Sequence, residues 1–550
     1  MKRAELGNHV NERMFEFGER IGWTLQNVDE KLISDFCSKI GVKKKVLKVW
    51  LYNNNKTKKH SKYQPTAAVI LPELVIHKIL SNLNYVEASR MTILSKTWQR
   101  AWLTHPNLLF VVYSGTDEER RIGKIDADIV DKIMKRYMDE KIPIDKFELS
   151  MEIVTPTTGY LFSSIDKWLD IALQNGVREL VYRNLEYHSS FNIFKMLTAK
   201  CLREVVLRNC NLVYFSSLPS GHVGNCHSLR KLSLTSVTVD DNMLQGLLAN
   251  YPLIENLIIR HCRGWKKCEV RNLQKIRSLC ITIKSEQVVK IEAPTLEHLS
   301  YSSYVLGKLD IGEYPNLKSL ELFGPCYSTR VNIGRSESLR DLKINNLLLC
   351  CCQKIEVDAP NLVSLEYEGS DIPQLELAKE SSNFNKLTLN FNKNSFNVGW
   401  FYLLMEFLLN SEFLSNSTSW SQVSLHIYSC DGINMEYLKQ YYRVAIPQVD
   451  VLDVIIESRE DFPTFVDAFL WCFCPRRLNI SSSFKTIIYL INQLLYLKNS
   501  SHGDKPQLSQ LKAYKFDRKN GSWHPVKPRS MKLLTGDPNE MEKFYFLLNW

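Results

Sequence analysis

Between residues 144 and 394 one short pattern, apolar-x-x-apolar-x-apolar, recurs eleven times. Its first positions are Ile144, Val177, Leu202, Leu229, Ile254, Ile276, Leu296, Leu317, Leu339, Leu362 and Phe384. The spacings are 33, 25, 27, 25, 22, 20, 21, 22, 23 and 22 residues. Two places after each start stands a polar residue: Lys146, Glu179, Glu204, Lys231, Asn256, Ser278, His298, Ser319, Asp341, Ser364 and Lys386. The positions flanking it, such as Leu232 and Leu234 or Leu320 and Leu322, are apolar. Alternation of this kind puts one face of a strand on a core and the other in solvent. The pattern predicts short strands stacked in parallel, one per repeat, with helical or irregular segments returning along the outside. Ile165, Trp168, Leu169 and Ala172, and again Met243, Leu244, Leu247 and Leu248, carry the spacing of two such helices.

Helical patterns precede the repeats. Met14, Phe17 and Ile21 suit a first helix, and Leu32, Ile33, Phe36, Cys37 and Ile40 a second with Asp29 as its N-cap. After a turn at Gly41-Val42, a third runs from about Lys43 to Lys56 with Val46, Leu47, Trp50 and Leu51 on one face. Leu71-Pro72 then opens a helical hairpin. Val75, Ile79, Leu80 and Leu83 form one stripe, Ala88, Met91, Ile93 and Leu94 a second, and Trp98 and Trp102 stand four apart. So small a module buries too little to stand alone and leans on a neighbour or partner. A helical spacer covers roughly 117–140. Beyond the repeats, Phe465 to Leu478 reads as a helix running into a strand, Thr486 to Leu497 as an apolar helix, and Tyr514–Phe516 and Phe544–Leu548 as closing strands.

Three resemblances follow. Leu71-Pro72, Ile79-Leu80-x-x-Leu83 and Leu94-Ser95-Lys96-x-Trp98-x-x-x-Trp102 resemble the F-box of plant F-box proteins. That resemblance implies docking onto a Skp-family adaptor in a cullin ubiquitin ligase, with Leu71, Pro72, Ile79, Leu83, Leu94 and Trp98 contacting the adaptor or supporting the contact. The repeats, whose period falls near the roughly 20–29 residues of leucine-rich repeats, resemble the divergent leucine-rich repeats of the same proteins. Asp358-Ala359-Pro360-Asn361-Leu362 and Glu292-Ala293-Pro294-Thr295-Leu296 carry that likeness. Residues 12–59, with Phe36-Cys37, Ile40-Gly41-Val42, Val46 to Leu51 and Asn53-Asn54, resemble the homeodomain of plant zinc-finger homeodomain proteins. Here the resemblance implies Val49, Tyr52, Asn53 and Lys56 in the DNA major groove, Asn53 on an adenine edge, and Lys43, Lys44, Lys45, Lys48, Lys58 and Lys59 at phosphates. Asn55 stands where that family is usually basic, and its Cys/His-rich zinc finger has no counterpart here.

Composition narrows the classes. The 550 residues suit two to four domains, and 45% hydrophobic content is ample for a core. No stretch of 18 apolar residues occurs, so no membrane partner is expected. The first fifteen residues hold no apolar run, so an intracellular chain, in nucleus or cytoplasm, is expected. The 14 cysteines then read as reduced, mostly buried thiols. Cys350-Cys351-Cys352 and Cys472/Cys474 lack histidines at zinc spacing, so neither metal nor cofactor is called for. Net charge is +11 and uneven: residues 1–65 hold 14 Lys and Arg against 7 Asp and Glu. No phosphate loop, nucleophile elbow or His-Glu-x-x-His is present. Asp240-Asp241 suits a helix cap rather than a pair of catalytic carboxylates.

The sequence is thus read as 1–62 homeodomain-like helix-turn-helix, 66–111 F-box, 112–143 helical spacer, 144–394 leucine-rich repeats and 395–550 C-terminal repeats and cap. The function expected is a non-catalytic substrate receptor of a Skp–cullin ligase, its repeats holding a protein substrate. The alternative is a regulator binding double-stranded DNA through residues 1–60. On the early repeats Arg178, Arg203, Arg230 and Arg277 share one column and Arg183, Arg208 and Arg260 another, a set suited either to an acidic or phosphorylated substrate segment or to solvated charges interleaved with glutamates such as Glu255.

Overall fold

The computed structural model describes residues 13–18, 20–21, 30–55, 71–114, 124–153, 159–184, 189–191, 199–212, 228–284, 287–303, 314–324, 330–345, 354–377, 384–410, 420–430, 433–441, 448–457, 463–499, 508–518, 521–527, 534, 537 and 540–550. They form two compact units, residues 1–254 with 262–265, and 255–261 with 266–550.

The first unit begins with helices over residues 13–18 (α1), Glu30–Ile40 (α2) and Lys44–Asn55 (α3). Gly41, at φ +69°, ends α2: its N–H bonds to Ser38 O (3.4 Å) and that of Val42 to Cys37 O (3.0 Å). This is the left-handed cap that glycine takes without a Cβ clash. Met14, Phe17, Ile33, Cys37, Leu47, Trp50 and Leu51 meet in a buried cluster. Leu32, expected on the same stripe, is exposed instead. Asp29, the expected cap, lies outside the described residues.

Next come Glu73–Leu80 (α4), Tyr85–Arg90 (α5), a single 3-10 turn at Met91–Ile93 and Lys96–Leu103 (α6). Asn84 caps α5 by accepting from the Glu87 N–H (2.9 Å), and the Glu87 carboxylate reaches back to the Asn84 N–H (3.4 Å). Ser95 caps α6 through the Trp98 N–H. Ile76, Leu80, Ala88 and Ala101 are its own small core.

All eleven predicted repeat strands form, and each begins at the polar residue two places after its start: Lys146–Ile153, Glu179–Asn184, Glu204–Arg208, Lys231–Thr235, Asn256–Arg260, Ser278–Ile283, His298–Ser303, Ser319–Phe323, Asp341–Asn345, Ser364–Gly369 and Lys386–Phe396. Every start residue is buried. Within each unit neighbouring strands are parallel and pair residue for residue, Leu180 with Val205 and Val205 with Leu232, for example. The repeat phrases earn their recurrence at the turns. Leu296 N–H bonds to Ala293 O and Leu362 N–H to Ala359 O, while Thr295 Oγ1 donates to Ile276 O (2.7 Å) and Asn361 Nδ2 to Glu337 O (2.8 Å) of the preceding repeat. Backbone carbonyls at buried turns are thereby paired.

Two expectations are corrected. The ladder starts one strand early, at Asn107–Ser114, which pairs in parallel with Lys146–Ile153 inside the predicted F-box and spacer. The spacer helix, Ala127–Asp139, follows that strand. In the middle repeats the return segments are short parallel strands and not helices: Lys267–Val270 beside Val288–Ile291, and Arg330–Ile333, Lys354–Val357 and Gln374–Leu377 in a second ladder. With only 20 to 23 residues between starts there is room for an extended return but hardly for a helix and its two loops. Helices return where the spacing is longer, at Gly159–Gln174 and, with Asp240 as its cap, Asp241–Asn250.

The parallel ladder of the second unit continues through Trp420–Cys430, Gln448–Ile456 and Cys474–Ser483. Met541–Asn549 closes it antiparallel, with Gln510–Asp517 and Ser522–Val526 beyond. The antiparallel strand Met541–Asn549 on the last parallel edge covers its unpaired backbone groups. No helix among the described residues is long and apolar enough to cross a membrane.

Candidate docking surfaces

Helix α4 follows Pro72, which sits at φ −53° and ψ 143° and sets the entry to the helix. Its buried side is Ile76 and Leu80. Its open side is apolar too: Leu74 is 84% exposed, Val75 41% and Leu71 37%. Together these three side chains form an exposed apolar patch at the head of an ordered helix. Leu71 and Pro72, expected at the adaptor, belong to this open face; Ile79 and Leu83 are half-buried, Leu83 packing on the Ile76–Leu80 cluster. Leu94 is buried and Trp98 half-buried, both against the cluster of α1–α3. The periodicity reading missed Leu74 because a residue beside a stripe carries no signal until the helix is docked.

Helices α5 and α6 are held to the repeats. Trp102, Tyr85, Phe110 and Phe147 form an aromatic chain with centroid distances of 5.3, 5.2 and 6.0 Å. Asn107 Nδ2 donates to Ser81 Oγ (2.9 Å), Arg136 to Leu103 O (3.0 Å) and the Tyr137 hydroxyl to His105 O (2.8 Å). His77 and His105 face each other, Nδ1 to Nδ1, at 3.2 Å. Burial, and then the neighbouring His77, push His105 down to about 4, and burial pushes Tyr137 up to about 12. Both are neutral structural groups near neutral pH.

The sheet's polar face bears the predicted arginines in two separate places. Arg203 N–H bonds to Arg178 O (2.7 Å) and Arg230 N–H to Arg203 O (2.8 Å), so these three stack at the strand starts. Arg183 and Arg208 are register partners some five residues further on, roughly 17 Å along the strand. Arg178 faces Asp145 (3.5 Å) and Arg183 pairs with Glu148, while Arg203 and Arg208 are exposed. The two columns do not converge on one point.

Of the residues expected at DNA, Val49, Tyr52 and Asn53 lie on α3, but their side chains, and all of Lys56, lie outside the described residues. Of the lysines expected at phosphates, Lys43 pairs with Glu87 (2.9 Å) and Lys44 with Glu30, while Lys45 and Lys48 are exposed. Lys58 and Lys59 lie outside the described residues. His261 is exposed and Cys262 buried; Cys472 and Cys474 are buried, and Cys350–Cys352 lie outside the described residues. Among the described residues no group of three or more metal-ligating side chains converges.

A helical module seated on a parallel leucine-rich-repeat ladder is the plan of an F-box/leucine-rich-repeat protein. Two domain families match: the F-box domain over residues 70–110, and the At1g61320/AtMIF1 LRR domain over residues 133–337. The chain therefore carries both domains. It is similar to F-box protein At5g03100 of Arabidopsis thaliana, 25% identical over 42% of this chain and 69% of that one. F-box/FBD/LRR-repeat protein At1g13570 of the same plant is 24% identical over 56% of this chain and 82% of its own. Zinc-finger homeodomain protein 10, also of Arabidopsis thaliana, is 49% identical over 55 residues, which are 10% of this chain and 16% of that protein.

Proposed function

We propose that the chain is the substrate receptor of a cullin-type ubiquitin ligase: the face of Leu71, Pro72, Leu74 and Val75 docks a Skp-family adaptor, and the repeat strands hold a protein substrate. The observation that carries this reading is the exposed Leu74 at the head of α4, inside the span the F-box family matches. The aromatic chain from Trp102 to Phe147 ties the neighbouring helices α5 and α6 to the repeat strands of their unit. Such a receptor supplies proximity and orientation while bond chemistry belongs to other subunits. The test is co-purification of the full chain with a Skp-family adaptor. Leu74→Asp removes an exposed apolar contact and leaves the fold intact, so adaptor binding should fall at least about tenfold with an unchanged melting curve. Undiminished capture would overturn the assignment.

A second reading is supported by the likeness to zinc-finger homeodomain protein 10: α3 reads a DNA duplex. The full chain should then shift a duplex in a salt-dependent way, and Asn53→Ala should weaken the shift. No shift at low salt removes this reading.

A further inference from the structure

The last repeats of the second unit enclose a cleft. Register aligns Asn390, Ser424, Asp453, Asn479 and Tyr545 in one row across five strands. The closing hairpin brings Trp523 over the end of that row, 4.8 Å from Tyr545. Between them lies a cavity of about 460 Å³, large enough for one bulky side chain and part of its neighbours.

The charges lining it are not equivalent. Asp453 is already satisfied, accepting from Gln422 Nε2 (2.5 Å), from Ser424 Oγ (3.5 Å) and from Asn479 Nδ2. Glu368 accepts from Asn345 Nδ2 (2.6 Å). The cations are differently placed. Arg477 lies 4.6 Å over the Tyr545 ring and gives its Nε to Asn479 Oδ1 (2.8 Å), and Lys543 is exposed. Among the described residues neither has a carboxylate partner. The apolar part of the lining is open as well, with Trp523 and Ile455 each 41% exposed. The acids are engaged by neutral donors within the sheet, the exposed cations have no carboxylate partner among the described residues, and the aromatic wall is open; together these favour an anion bearing a bulky apolar group.

Spacing narrows this further. Lys543 pairs across the ladder with Ser481, four residues beyond Arg477 on the same strand. The two cations are therefore roughly 13 Å apart along the strand direction, the span of five residues of extended chain. We infer that the cleft seats an acidic peptide segment of the form acid-x-bulky apolar-x-acid, its outer carboxylates on Arg477 and Lys543 and its central side chain against Trp523 where that ring meets Tyr545. This rests on the receptor reading above and supplies the chemistry of the segment that reading leaves open.

The test uses the full chain and a fluorescein-labelled Glu-Ser-Phe-Ser-Glu peptide read by anisotropy, with Lys-Ser-Phe-Ser-Lys and a short single-stranded oligonucleotide as controls. A random pentapeptide display runs alongside. The acidic peptide should bind and the basic one should not. Arg477→Glu, Lys543→Glu and Trp523→Ala should each weaken binding about tenfold or more. Display should enrich Asp or Glu at both ends around an apolar centre. Should a charge reversal fail to fold, Lys543→Gln carries the test. No acidic enrichment, equal binding by the variants, or preference for the oligonucleotide overturns the inference. Adaptor capture on the same preparations separates the two ideas: capture without peptide selection sinks the cleft alone, and lost capture sinks the receptor reading.

Discussion

Lys43 Nζ lies 2.9 Å from Glu87 Oε1 and joins the N-terminal helices to the F-box helix α5. The lysine is 70% exposed, and the hydrogen bond from Lys43 is the first cause holding Glu87 below the usual carboxylate range. Beneath the pair, Met91, Ile93, Leu94 and Trp98 pack on the cluster of Trp50 and Leu51. Two segments that resemble different proteins thus share one core.

If that core is shared, Leu94→Ala should cost about 2–4 kcal/mol and loosen α1–α3 together with α6. Hydrogen exchange should quicken in both segments; quickening confined to residues 91–103 would contradict a common core.

The ion pair itself should matter little. Exposed pairs contribute about 0–1 kcal/mol, so Lys43→Ala should shift the denaturation midpoint barely, and the small shift should vanish in high salt.

Acid should weaken the first unit through His105. Its folded value of about 4 lies below its ordinary 6.5, so the unfolded chain takes up a proton that the folded chain refuses. Stability is full above pH 6.5 and is lost as pH falls from there toward 4, by about 2 kcal/mol for this group. Denaturant titrations at pH 7 and pH 4.5 measure the loss, and His105→Gln should flatten it.

Gly324→Ala should be costly in the second unit. Gly324 has φ +134°, and an added Cβ would sit 2.5 Å from Ser303 O, which is backbone and has little freedom to give way. A loss of about 2 kcal/mol or more is expected, read as a lower melting temperature; an unchanged one would mean that the turn adjusts freely.

Helix α4 shows where sequence reading stops. The stripe drawn through Val75, Ile79, Leu80 and Leu83 locates a helix correctly, yet the fold buries Ile76 and Leu80 and leaves Val75 and Leu74 open. On eight residues with apolar side chains nearly all round, several faces are equally good until α6 and the strand Asn107–Ser114 choose one. The early start of the ladder was hidden for a related reason. Asn107–Ser114 reads as one apolar run between helices, and only pairing with Lys146–Ile153 makes it a repeat strand.

What the sequence alone determined is local and periodic: eleven strand starts, the polar row two places beyond them, the helices on either side and the cap at Asp240. Each follows from a repeat of apolar positions that backbone geometry turns directly into an exposed and a buried side. Tertiary structure decided what depends on residues far apart. It packed the N-terminal helices against Leu94 and folded the final hairpin so that Trp523 packs on Tyr545. Those outcomes turn on which surfaces meet, and a contact between positions dozens of residues apart leaves no period in the chain to read.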